Sequence, residues 1–324
     1  MSPLHLLVIL AVAISPCVNG DSEFTYYGTM GPDHWSEHYN QCAGKHQSPI
    51  AINDLDVIDR FYLDIIYEHF DKKPVNATIT NNGHTVQVNL EYEDHAPYIS
   101  QGPLEGKGKY EFQQLHFHWG EDNSVGSEDR INNVTFPMEL HIVFRNTKYN
   151  DFAEASLRDD GVAVMAFFYE ISEDIDRDYD TFTSHLSNII EPKSKTRVEP
   201  ITLFGLMPED IRKYYTYIGS LTTPPCSEDV IWMDFSNPIS VSSSLLDRFR
   251  ALKTFDGSPL SHNFRPVQPL NNRKVYRAHS ESRLPQSGPA ITIPIIDVWH
   301  DGAHHTSAPL ALAATLLILS FYLV

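Results

Sequence analysis

Gln114-Leu115-His116-Phe117-His118-Trp119-Gly120 is the stretch on which the reading of this chain turns. The run from Glu111 to Trp119 has the composition of a β-strand, and on a strand side chains two apart share a face. His116 and His118 therefore project the same way, with Phe117 packing behind them. A second strand-like run, Phe136 to Phe144, carries His141 within Glu139-Leu140-His141-Ile142-Val143. If the two strands are neighbours, three imidazoles meet. Three neutral imidazoles suit Zn²⁺ and leave its fourth tetrahedral position open for water, which is the pattern of a catalytic zinc. The residues beside the histidines fit a metal centre. A ligating histidine usually donates its other N–H to a carboxylate or amide oxygen. Gln114 stands two before His116 and Glu139 two before His141, each on its ligand's face.

Outward from this stretch the body reads mainly as β. Phe61 to Tyr67, His84 to Leu90, Gly161 to Tyr169, Tyr214 to Gly219 and Val230 to Phe235 all carry strand signals, and Asn81-Asn82-Gly83 reads as a turn. Helical spacing is confined to Leu245, Leu246, Phe249 and Leu252, preceded by serines that can cap, and to Phe182, Leu186 and Ile189. Many strands and few helices predict a mixed α/β chain dominated by β, with one large sheet and peripheral helices. The 324 residues leave room for one domain of about 250 residues or two smaller ones. Hydrophobic residues make up 42% and charged residues 20%, ordinary values for a globular protein. The formal net charge of -18 argues against nucleic acid or an anionic membrane surface as partner.

The two ends read as signals outside the fold. Residues 1–20 carry an apolar run, Leu6 to Ile14, followed by Val18-Asn19-Gly20, so a signal peptide cleaved after Gly20 is expected. From about Arg277 the chain thins into a Pro-punctuated linker, assigned to residues 281–307, and residues 308–324 form an apolar tail. The tail is short for a bilayer span and no Lys or Arg follows it. With the small triplet Asp301-Gly302-Ala303 and a polar spacer upstream, it reads as a GPI-attachment signal. A tail-anchored helix is the other reading. Loss of Cys17 with the leader would leave Cys42 and Cys226, an even pair in an oxidising compartment. A bridge between them would add about 4–5 kcal/mol in the chain-entropy account. Asn76-Ala77-Thr78 and Asn133-Val134-Thr135 are glycosylation sequons, in keeping with export.

The histidine motif, followed by Glu139-Leu140-His141, resembles the α-class carbonic anhydrases. The likeness covers most of the chain, from about Tyr27 to Arg277. It includes Gly31-Pro32-Asp33-His34-Trp35, Gln47-Ser48-Pro49-Ile50, Asn81-Asn82-Gly83-His84, Gly219-Ser220-Leu221-Thr222-Thr223-Pro224-Pro225 and Asn263-Phe264-Arg265-Pro266-Val267-Gln268-Pro269-Leu270, in the family's order. The resemblance implies a single catalytic domain, residues 21–280, around a large, mostly antiparallel, twisted sheet. It also implies Zn²⁺ as cofactor, CO₂ and bicarbonate as substrates, and a Cys42–Cys226 disulfide of the family's extracellular members.

The resemblance further implies site roles. Thr222 accepts the hydroxide's hydrogen bond and donates its own to Glu128; an ionised glutamate is acceptor-only, so it forces that polarity. Val143, Val164, Leu221, Thr223, Val230 and Trp232 match the substrate pocket. His84 matches the proton shuttle, with Tyr27 and Asn82 matching residues that order its water chain. An imidazole suits that task because it titrates near neutral pH. Gln87 and Leu115 depart from residues common in the family, and the segment after Tyr27 is one residue short. A zinc peptidase is disfavoured by the lack of a His-Glu-x-x-His motif or its inverse. The remaining alternative is a catalytically silent, carbonic-anhydrase-like binding module at the cell surface. An extracellular location leaves room for bicarbonate or proton transporters as neighbours.

Overall fold

The computed structural model describes residues 24–173 and 177–279. The expected leader (1–20), linker (281–307) and apolar tail (308–324) lie outside the described residues. Within them the strands are β1 (Ala51–Ile52), β2 (Ile58–Phe61), β3 (Ile66–Glu68), β4 (Asn76–Asn81), β5 (Val86–Glu91), β6 (Tyr98–Ser100), β7 (Tyr110–Trp119), β8 (Arg130–Ile131), β9 (Met138–Asn146), β10 (Val162–Ile171), β11 (Lys195–Val198), β12 (Lys213–Ser220), β13 (Glu228–Val241) and β14 (Tyr276–His279). Twelve of these form one sheet, whose main path runs β11-β4-β5-β7-β9-β10-β13-β12-β14-β2. The pairings along it are antiparallel except β10 with β13 and β14 with β2. The expected single β-dominated domain is therefore present, as a mixed sheet with a mostly antiparallel ladder.

One irregularity sets which residues of β7 face which way. Tyr110 and Phe112 lie in the main core with Leu115, Phe117 and Trp119, although the parity changes between the two groups. A register shift between Phe112 and Gln114 opposite β9 accommodates the change. Such a bulge inserts one unpaired residue and re-aims the side chains beyond it. After it, Leu115, Phe117 and Trp119 enter the core, while Gln114, His116 and His118 point to the other face. That face carries a second apolar cluster, including Val143 of β9, Val164 and Ala166 of β10, and Trp232 of β13.

The helix Ser243–Arg250 packs Leu245, Leu246 and Phe249 into the main core. Ser242 caps it by accepting the Leu245 N–H at 3.2 Å. The stripe of Phe182, Leu186 and Ile189 spans a short α-helix, Arg177–Thr183, that continues as the 3₁₀ segment Ser184–Ile189. Among the described residues no helix is long and apolar enough to cross a membrane.

Two expectations need correction. Phe61 to Tyr67 is not one strand: β2 ends at Phe61 and β3 begins at Ile66. Phe61 is 83% exposed, so apolar composition there does not buy a place in the core. The chain also does not leave the fold at Arg277. Residues Tyr276–His279 form β14, sandwiched between β12 and β2, and Arg277 pairs through its guanidinium with Asp59 at 2.7 Å.

Candidate metal centre and active site

β7 and β9 lie side by side with His116 directly opposite His141. His118 follows two residues along on the same face, so the three rings converge. Their centroids lie 5.1, 5.2 and 4.5 Å apart, and their candidate ligand nitrogens all fall within 4.8 Å of one another. Among the described residues this is the one such group of three metal-ligating side chains.

The second nitrogen of each ring decides which nitrogen is free. His116 Nδ1 meets Gln114 Oε1 at 2.9 Å, as the i−2 spacing predicts. His141 Nε2 meets Glu139 Oε1 at 2.7 Å. His118 Nδ1 meets the backbone carbonyl of Asn263 at 2.8 Å. Each partner oxygen is an acceptor, so each of these nitrogens carries the ring proton. The lone pairs are then His116 Nε2, His118 Nε2 and His141 Nδ1. The last two face each other at 3.1 Å. Two lone pairs at that distance repel unless a cation lies between them. Ligands on one tetrahedral zinc, at about 2.0–2.1 Å, stand about 3.3 Å apart. The residues present therefore fit the ion.

Electrostatics agree with neutral ligands. Burial, with repulsion from the neighbouring imidazoles, holds His116 and His118 well below the usual histidine range. Burial alone takes His141 to about 3. Burial pushes Glu139 up to about 8, against the pull of the Glu128 and Asp129 amides on its Oε2 at 2.8 and 3.0 Å. Glu139 thus ties His141 to the loop that carries Glu128.

Glu128 is buried, and its Oε1 accepts the Arg265 N–H at 2.8 Å. Burial, then repulsion from Glu139, raises its pKa, while Arg265 and Thr222 draw it down. Thr222 is near enough to exert that pull, yet Glu128 Oε2 has no partner within hydrogen-bond geometry. The buried carboxylate oxygen is therefore poised beside the hydroxyl rather than joined to it.

A cavity of about 120 Å³ opens over the histidines, lined by His116, His141, Val143, Val164, Leu221, Thr222, Thr223 and Trp232, with Gln114 and Phe152. All the expected pocket residues are there except Val230, which lies in the same apolar cluster but does not line the cavity. His84 and Tyr27 come together in a neighbouring cavity of about 210 Å³. The His84 ring stacks on Phe24 at 4.0 Å and meets Phe255 edge-on at 5.6 Å. Tyr27 turns its hydroxyl to Asp256 at 2.8 Å, whereas its neighbour Tyr26 is buried and feels the Glu128 charge. Asn82 Oδ1 accepts the N–H groups of His84 and Thr85 at 3.0 and 2.9 Å, fixing the turn that carries the imidazole.

Asn263, Arg265 and Phe152 are the site residues that sequence reasoning left without a role. Asn263 and Arg265 lie in a motif that was visible, but both act partly through backbone atoms, which side-chain type does not announce. Phe152 sits in the short helix Phe152–Ala155 outside any motif. Cys42 and Cys226 are joined, with their Cα atoms 4.9 Å apart.

A buried three-histidine centre on a sheet face, with an apolar cavity at its open side, defines a mononuclear catalytic zinc protein. The comparisons with known proteins sharpen that class. A family model for the eukaryotic-type carbonic anhydrases matches residues 30–279. Human carbonic anhydrase 3 is 36% identical over 260 residues, 78% of this chain and 97% of the relative. Human carbonic anhydrase 7 is 38% identical over 266 residues, 80% and 98% of the two chains. Human carbonic anhydrase 12 is 33% identical over 300 residues, 87% and 82%. The chain therefore belongs to the eukaryotic-type carbonic anhydrases, and its activity is the zinc-dependent, reversible hydration of carbon dioxide to bicarbonate and a proton.

Proposed function

We propose that this carbonic anhydrase works on the extracellular face of the plasma membrane. In this reading residues 1–20 are removed, residues 21–280 form the catalytic domain, a site in 281–307 receives a GPI anchor, and 308–324 is the discarded signal. The Cys42–Cys226 bridge supports an oxidising compartment. Asn133, exposed in the turn after β8, and Asn76, at the start of β4, are the proposed glycan sites. Bicarbonate or proton transporters are natural neighbours for an enzyme so placed.

At the centre, His116, His118 and His141 hold the metal. Zinc bound there supplies the Lewis acidity that brings the pKa of water to about 7, the reference value known for carbonic anhydrases themselves. Gln114, Glu139 and the Asn263 carbonyl keep each ring proton away from the metal side. Glu128 takes the Thr222 proton, so Thr222 has only lone pairs to offer the attacking oxygen's hydrogen. That polarity aims the oxygen's lone pair at the carbon. Val143, Val164, Leu221 and Trp232 give an apolar carbon dioxide a dry wall, with Val230 behind them and Thr223 beside the nucleophile. His84, half-exposed on its turn, takes the proton through water ordered by Tyr27 and Asn82 and releases it to buffer.

The observation that supports this mechanism best is the convergence of His118 Nε2 and His141 Nδ1 at 3.1 Å. Stopped-flow CO₂ hydration by the parent and by His116→Ala tests it: loss of both zinc and rate in the variant is expected. Equal rates would leave the silent binding module as the better reading. Release of the enzyme from cells by a phosphatidylinositol-specific phospholipase tests the anchor, and retention after treatment would favour a tail-anchored helix.

A further inference from the structure

A cleft of about 580 Å³ lies against β12 and β14, lined by Thr216, Ile218, Tyr276 and Lys274, with Arg60, Tyr62 and Lys107. Its size is that of a small-molecule site. Along β12, Thr216 and Ile218 alternate with Tyr215 and Tyr217, which pack on the histidine side. The cleft therefore opens on the opposite face of the sheet from the active centre.

Its charge is at odds with the rest of the molecule. The chain has 42 acidic residues against 24 Lys and Arg, and most cations of the fold have a carboxylate partner: Lys109 with Glu68, Arg145 with Glu111, Arg212 with Asp210, Arg277 with Asp59. In the cleft Arg60, Lys107, Arg273 and Lys274 converge with a single acid, Glu105. None of these four cations makes an ion pair with a carboxylate among the described residues. Arg273 directs its N–H groups to the carbonyls of Leu270, Ile218, Gln47 and Pro269, which anchors it without cancelling its charge. The Arg60 guanidinium lies 4.9 Å from the Tyr62 ring centre and 5.0 Å from that of Tyr276, so two aromatic faces hold it in place. Lys107 and Lys274 are exposed and free to close on a ligand.

We infer that this cleft binds an organic polyanion, a ring-bearing molecule carrying two or more phosphate or sulfate groups. The oxyanions meet Arg60, Lys107 and Lys274, and the ring lies along the tyrosines and the Ile218 side chain. Concentrated positive charge on an acidic molecule attracts such a ligand selectively, and the attraction weakens as salt screens it. Nucleotides and sulfated oligosaccharides share this chemistry.

The test is calorimetric titration of the purified full chain with ATP, with a heparin-derived hexasaccharide and with adenosine, for the parent and for Lys107→Ala/Lys274→Ala. Binding of at least one polyanion, none of adenosine, and at least tenfold weakening both in the double variant and in about 0.5 M salt are expected. Preference for ATP assigns a phosphorylated ligand, and preference for the hexasaccharide a sulfated one. Carbon dioxide hydration stays unchanged in the double variant, because the cleft is on the far face. No binding of either polyanion at low salt, or equal binding by parent and double variant, would overturn the inference while leaving the zinc enzyme intact.

Discussion

His118 Nε2 and His141 Nδ1 point at each other across 3.1 Å, while the opposite nitrogen of each ring is held by an oxygen, the Asn263 carbonyl for His118 and the Glu139 carboxylate for His141. The contact is repulsive between neutral imidazoles and becomes favourable with a cation between them. Removing zinc with a chelator should therefore lower the melting temperature, and one equivalent of Zn²⁺ per chain should restore it. With free zinc a thousandfold above its dissociation constant the difference is about 4 kcal/mol. Calorimetric unfolding of stripped and reloaded protein measures it; identical curves would count against a metal bound by these rings.

Glu139 faces two ways, toward the His141 N–H and toward the Glu128 and Asp129 amides. In Glu139→Gln the side chain can supply an oxygen to only one of these sides, and its NH₂ then meets a donor on the other. A buried donor left unsatisfied costs about 1–3 kcal/mol. Zinc affinity should fall about 10–100-fold, as read by competition with a coloured chelator. Parent-like affinity would show that the carboxylate does not orient the ligand.

His84 sits between Phe24 and Phe255 on a turn fixed by Asn82 and by Asn263, whose Nδ2 donates to the His84 carbonyl at 2.9 Å. An acid of pKa about 7 loses protons to water at only about 10³ s⁻¹, so fast turnover needs a relay. For His84→Ala, kcat in dilute buffer should drop about tenfold or more with kcat/KM preserved, and added imidazole should restore it. A variant with parent kcat in weak buffer would remove His84 from the proton path.

Asp234 is fully buried on β13, opposite Ala166 and Tyr215, and neither carboxyl oxygen has a hydrogen-bond partner. Burial, then repulsion from Asp129 and Glu139, holds its pKa well above the usual carboxylate range. Because the folded pKa is the higher one, the folded state gains from the bound proton below the unfolded value of about 3.9. That gain is lost as pH rises toward the folded pKa. Asp234→Val should therefore stabilise the protein, by roughly 1–3 kcal/mol at pH 8 and less at pH 5. Urea unfolding at the two pH values checks it; a destabilised variant at both would mean that the carboxyl makes an interaction worth more than its burial.

The sequence by itself determined the local pattern. Strand periodicity placed His116 and His118 on one face, and the i−2 rule found Gln114 and Glu139, because these relations depend only on the two-residue repeat of a strand. It also located most of the strands and the cap of the helix Ser243–Arg250. It misread Phe61 to Tyr67, where apolar composition does not report burial.

Tertiary structure decided the relations between distant segments. The pairing of β7 with β9 brings His141 to the other two ligands, and the bulge after Phe112 sets their face. The Asn263 carbonyl, from a loop far along the chain, selects the free nitrogen of His118. The side chain of Asp256 takes the Tyr27 hydroxyl, and the unpartnered cations of the far cleft come from three separate segments. None of these follows from residue type and spacing, because a backbone carbonyl has no sequence signature and long-range register is settled only when the whole sheet closes around its core.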